Sequence, residues 1–148
     1  VGGFEGGTVT WAPTNITYGH NNRSAQFRLP QNRYCIENRA ADMTMNVYLA
    51  FSMTLSAAVE GIKKKIHPGK PTDQDLYNMT DSEFKKLGIK RLPRNLLMAI
   101  EALKNDKLSD EVIGSVMKKS LLAYKNDEWE RYHQAVTDWE VKEYLRLY

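Results

Sequence analysis

Apolar and polar positions follow two different rhythms along this chain. Up to about residue 45 the apolar positions come in short pieces, at residues 8–11, 15–18, 24–29 and 34–39, which read as strands. Pro13, Gly19 and Pro30 mark breaks between them. In Ala25-Gln26-Phe27-Arg28-Leu29 apolar residues alternate with polar ones, so Gln26 and Arg28 should share one face. The same alternation groups Cys35, Glu37 and Arg39 on one face of the next strand and turns Ile36 and Asn38 the other way.

From Asn46 onward the period lengthens to that of helices. Tyr48, Leu49, Phe51, Leu55, Val59 and Ile62 recur at three- and four-residue spacing, and Pro68-Gly69 ends the run. Thr80-Asp81-Ser82-Glu83 and Thr137-Asp138-Trp139-Glu140 are capping boxes, each starting a helix. Pro93 is expected to open a helix carrying Leu96, Leu97, Ile100 and Leu103. Ser109 is expected to cap one long helix running past Val112, Val116, Leu121 and Trp129. The pattern predicts an α+β fold: a small antiparallel sheet in residues 1–45, then packed helices in 46–148, treated as one unit.

Composition narrows the class without naming a function. The chain has 148 residues, 42% hydrophobic and 26% charged, as in ordinary globular domains. No apolar run approaches the roughly 20 residues of a membrane span, so no membrane role is expected. The formal net charge of +3 is too mild to argue for nucleic acid, and a basic nucleic-acid-binding helical module is set aside. Cys35 is the single cysteine, so no internal disulfide forms, which fits a cytoplasmic protein.

Most candidate chemistry is bland. His20, His67 and His133 lack metal-ligand spacing. Lys63-Lys64-Lys65 reads as solvated cations at a helix end, and the Asn-x-Ser/Thr triplets at Asn15, Asn22 and Asn78 are common by chance. The strand region is richer: Arg23, Arg28, Arg33 and Arg39 surround one acid, Glu37. Guanidinium groups stay charged and bind phosphate or carboxylate in a fork, and a carboxylate among them can ligate a hard divalent cation. These residues fit an anion or nucleotide site; ordinary strand charges are the competing reading.

The order of residues adds a resemblance. Ala12-Pro13, then Asn22-Arg23-Ser24-Ala25, Arg28, Ile36-Glu37-Asn38-Arg39 and Asn46-Val47-Tyr48-Leu49-Ala50 resemble the C-terminal part of the glutamine synthetase catalytic domain. Gly61 to Gly69, Asp75-Leu76-Tyr77, Leu92-Pro93 and the Trp129 and Trp139 segments continue the likeness over nearly the whole chain. The resemblance implies a ligase that joins L-glutamate to ammonia through a γ-glutamyl phosphate made from ATP, in a ring-shaped homo-oligomer. It implies Glu37 as a ligand of Mg²⁺ or Mn²⁺ and Arg39 as a contact to glutamate or its phosphoryl group. It further implies Arg23 as a contact to glutamate and ATP phosphate, and Arg28 as an ATP-phosphate arginine.

Several departures qualify that picture. Where the family usually has an arginine just before the Ile-Glu pair, this chain has Cys35, and Arg33 is the candidate to replace it on phosphate. The connection from Arg28 to Glu37 is also shorter than in many members. Trp11 stands before Ala12-Pro13 where the family carries a flap glutamate. A neutral indole takes no proton but can face a cation. Two readings stay open: an acceptor amine carrying apolar carbon, as in γ-glutamylalkylamide or polyamide synthetases, or a buried strand residue in a branch with a different flap. A non-catalytic relative is a further alternative. The glycine-rich opening at Val1 and the absence of the family's earlier metal and nucleotide segments suggest a piece of a longer protein, inactive alone.

Overall fold

The computed structural model describes residues 12–145 and 147. The expected strand at 8–11, with Trp11, lies outside the described residues. The chain divides into two compact units, one ending at Arg94 and the other beginning at Asn95, whereas the change in sequence rhythm falls near residue 45.

The first unit is built on short strands: β1 (Asn15–Ile16), β2 (Tyr18–His20), β3 (Phe27–Leu29) and β4 (Glu37–Asn38). Helices α1 (Val47–Lys63) and α2 (Asp81–Lys86) follow, then β5 (Lys90–Arg91). β1 pairs antiparallel with β5, a strand inside the stretch read as helical. β3 is central in a three-stranded sheet, antiparallel to β4 and parallel to β2. The class is α+β, and the sheet is mixed where an antiparallel one was expected. The parallel step is unusual because residues 21–26 alone make the return. Asn21, at φ 53°, permits it; its amide donates to the Leu29 carbonyl at 2.8 Å while the Phe27 amide donates to Thr17 at 3.0 Å.

Gly19 lies within β2 and is not a break. Residues 69–76 lie along β2: the Thr72 amide donates to the Tyr18 carbonyl at 2.8 Å, and the Tyr18 hydroxyl donates to the Gly69 carbonyl at 3.0 Å. A Cβ on Gly19 would enter the van der Waals shell of the Thr72 carbonyl oxygen, so only glycine fits. Ala25, Leu76 and Phe84 form the buried apolar centre of this unit. α1 is capped by Asn46, whose side chain accepts from the Tyr48 and Leu49 amides. Its apolar stripe of Tyr48, Phe51, Leu55 and Ile62 is exposed, although the spacing suggested a packed face. α2 carries the full Thr80–Glu83 capping box.

The second unit is helical: α3 (Leu96–Asn105), α4 (Lys107–Ile113), α5 (Ser115–Gln134) and α6 (Asp138–Tyr144). α3 and α4 both pack on α5. α3 begins after Asn95, its N-cap, because the Asn95 side chain accepts from the Met98 amide, a bond that Pro93 cannot provide. The long helix expected from Ser109 is two helices. Asp106 caps α4, Ser109 sits buried inside it, and Gly114 at φ 75°, ψ 155° separates it from α5. Thr137 caps α6 through the expected box. Among the described residues no helix is long and apolar enough to cross a membrane.

Candidate functional site

The register of the β3–β4 pair sets Arg28 directly opposite Glu37. The side chains on that face then meet: Arg28 Nη1 donates to both Glu37 oxygens at 3.0 Å. Arg33, from the turn between the two strands, donates to Glu37 Oε1. Arg39 brings Nη1 to within 3.8 Å of Glu37 Oε2. One carboxylate is thus held by three guanidinium groups, two of them largely shielded from water, with Arg33 60% exposed. The hydrogen bond from Arg28, followed by that from Arg33, holds the Glu37 carboxyl below its ordinary range, against the opposing effect of burial. Arg33 is pushed further above its own ordinary range by its bond to Glu37 and then by the Cys35 thiol.

Arg23 joins this group through its backbone. Arg39 Nε donates to the Arg23 carbonyl at 3.0 Å. Arg23 and Arg28 also line a cavity of about 430 Å³ together with Asn21, Asn22, Ser24, Asp73 and Asp75. The structure therefore brings Arg23, Arg28, Arg33, Glu37 and Arg39 together, and Cys35 is exposed nearby. Trp11 falls outside the described residues.

Sequence reasoning missed the asparagines. Arg28 Nη2 donates to Asn21 Oδ1, which fixes the guanidinium from the side away from Glu37. The signal was present in Gly19-His20-Asn21-Asn22, a turn-forming string in which asparagine tolerates a left-handed backbone. It also missed Asp73, whose carboxylate receives the His20 amide at 2.6 Å and lies 3.2 Å from His20 Nδ1.

Positive charge exceeds negative here, and the guanidinium forks suit the tetrahedral oxygens of a phosphate. Arg28 Nε, a buried polar atom of this group, has no hydrogen-bond partner among the described residues. The fit to a divalent metal is limited to one ligand. Among the described residues no group of three or more His, Cys, Asp or Glu side chains is arranged to hold a metal ion, and Glu37 is the carboxylate that Arg28, Arg33 and Arg39 share.

Residues 8–144 match the family described as glutamine synthetase, catalytic domain. The chain is 37% identical over 139 residues to a glutamine synthetase of Methanococcus maripaludis, covering 92% of this chain and 31% of that protein. It is 39% identical over 137 residues to a glutamine synthetase of Methanocaldococcus jannaschii, covering 90% of this chain and 30% of that one. It is also 38% identical over 140 residues to a glutamate–methylamine ligase of Methyloversatilis universalis, covering 95% and 31%. The chain spans about a third of the length of these relatives. With a match that runs through both compact units and takes in every residue of the arginine cluster, the chain belongs to the glutamine synthetase catalytic-domain family.

Proposed function

We propose that this chain supplies the phosphate-binding wall of an ATP-dependent glutamate–ammonia ligase, a glutamine synthetase. The observation that carries the reading is the convergence of Arg28, Arg33 and Arg39 on Glu37, with Arg23 tied to Arg39. In the reaction, a γ-carboxylate oxygen of L-glutamate attacks the terminal phosphorus of ATP. A new O–P bond forms and ADP leaves with the electrons of the bond that breaks. Ammonia then attacks the acyl carbon of γ-glutamyl phosphate, inorganic phosphate departs, and the nitrogen gives up a proton.

The arginines serve this sequence by charge and position. Arg28, Arg23 and Arg33 hold the ATP phosphates, and Arg39 and Arg23 orient glutamate toward the transferring group. Glu37 would provide one oxygen ligand for Mg²⁺ or Mn²⁺, and the ion, when bound, would supply neutralisation of phosphate charge. A soluble cytoplasmic enzyme assembled as a ring of identical subunits completes the proposal. Because one carboxylate cannot hold the two or three ions this chemistry uses, the 148-residue chain on its own is expected to be inactive.

A second reading concerns the amine. The similarity to a glutamate–methylamine ligase, with Trp11 at the flap position, favours an acceptor that carries apolar carbon. The test is phosphate release from ATP by the protein purified from its source, supplied with glutamate and either ammonia or methylamine. Glutamate-dependent turnover that Arg28→Gln lowers about 100-fold supports the ligase reading. Absence of glutamate-dependent turnover in the intact protein overturns it. A clear preference for ammonia removes the alkylamine variant.

A further inference from the structure

We propose that Asn22 is a positioning residue that sets the place of Arg39 by holding the Arg23 turn against the 72–76 segment. The proposal rests on the reading of Arg23 and Arg39 as substrate contacts. Asn22 uses its amide fully. Nδ2 donates to the carbonyls of Thr72 at 2.7 Å and Gln74 at 2.9 Å. Oδ1 accepts from the Ser24 amide at 2.8 Å and the Ser24 hydroxyl oxygen at 2.7 Å. The orientation of the amide is fixed by its partners, because carbonyl oxygens only accept. Ser24 Oγ then accepts from the Leu76 amide at 3.1 Å, in a layer where Ser24, Ala25 and Leu76 are all buried.

Arg23 lies between Asn22 and Ser24, so its peptide is pinned on both sides. The fixed Arg23 carbonyl receives Arg39 Nε at 3.0 Å, and the same guanidinium reaches toward Glu37. The 72–76 segment is itself strapped to β2 by the Thr72–Tyr18 bond and by the His20 amide on Asp73. Asn22 therefore transmits the position of the strap to a guanidinium that it does not touch. None of these four contacts is made to a charged group, so the effect works through geometry alone.

The test compares Asn22→Ala and Asn22→Asp in the full chain. Aspartate has nearly the same shape and retains the acceptor for Ser24, but it turns a carboxylate oxygen on two carbonyls. The readout is hydrogen exchange at Arg39 Nε–H, followed by NMR under conditions where every variant is folded. Both variants are expected to speed that exchange about tenfold, the effect of losing roughly one net hydrogen bond. Phe84→Leu, a core change in the same unit, is expected to leave it unchanged. If the Asn22 variants do not fold, Ser24→Ala is expected to give a smaller acceleration in the same direction.

Wild-type exchange rates in Asn22→Asp, or an Nε–H already unprotected in the wild type, overturn the inference. Where the protein turns over glutamate, Asn22→Asp is also expected to lower kcat/KM about tenfold. Faster exchange without any ligase activity in the wild type sinks the functional reading and leaves the positioning intact. Full ligase activity with unchanged exchange does the reverse.

Discussion

Two polar clusters in this chain solve opposite problems. In the helical unit, Lys118 on α5 is almost fully buried, and its ammonium donates to the Asp106 carbonyl at 2.8 Å and to Asp110 Oδ1 at 2.9 Å. Ser109, also buried, closes the group by donating to the same Asp106 carbonyl at 2.7 Å. One cation there faces one carboxylate, and the group ties α4 to α5. Around Glu37, three cations face one carboxylate. A charge-balanced cluster is finished by folding. An arginine-rich cluster of this kind is, on the proposed reading, left able to receive an anion from outside.

The sharpest way to break this comparison is to neutralise Glu37. Glu37→Gln is expected to lower kcat/KM of the intact enzyme by about 100-fold or more while the fold persists. The pH dependence has a definite sign. The Glu37 carboxyl titrates below its ordinary range in the folded state, held there by Arg28 and then Arg33. Its contribution to stability is therefore present above the ordinary carboxylate range and is lost as pH falls through the lowered native value. Urea unfolding at a series of pH values should show wild type and Glu37→Gln converging toward acid. A gap that widens toward acid contradicts the assignment.

Next in size is the closed cluster. Lys118→Met is expected to cost about 1–3 kcal/mol by removing the charged hydrogen bonds to the Asp106 carbonyl and Asp110, although Ser109 still donates to that carbonyl, and to leave phosphate affinity unchanged. Thermal melting followed by helical circular dichroism, with phosphate titration alongside, separates the two effects. The smallest effect belongs to Arg33→Ala. With that side chain 60% exposed, its loss should weaken phosphate binding by about two- to fivefold, well short of Arg28→Gln. Equal losses at the two positions would erase the distinction between a shielded arginine and an exposed one.

Local rules carried far into this structure. Asn46, Thr80 and Thr137 cap their helices as their side chains dictate, because a cap is satisfied within three residues of chain. Strand alternation also put Glu37 and Arg39 beside one another, and register added Arg28. What failed were readings that depend on partners distant in sequence or on a single backbone angle. The parallel pairing of β2 and β3 turns on one left-handed residue, Asn21. Apolar spacing runs on through Gly114, so the break between α4 and α5 shows only in its φ of 75°. The periodicity of α1 announced a helix but not whether its apolar side would be covered. The Asn22 bonds reach some fifty positions along the chain, beyond any local pattern.

Gly19 has a consequence for reading mutational scans of this domain. It contacts no substrate in the proposed mechanism, yet any side chain there collides with the Thr72 carbonyl and lifts the 69–76 segment off β2. That segment supports Asn22, so the damage would surface as lost turnover. In a saturation library, position 19 would score as intolerant as the arginines themselves. Intolerance at this glycine measures the absence of room for a methyl group, and only a structural readout separates it from chemistry.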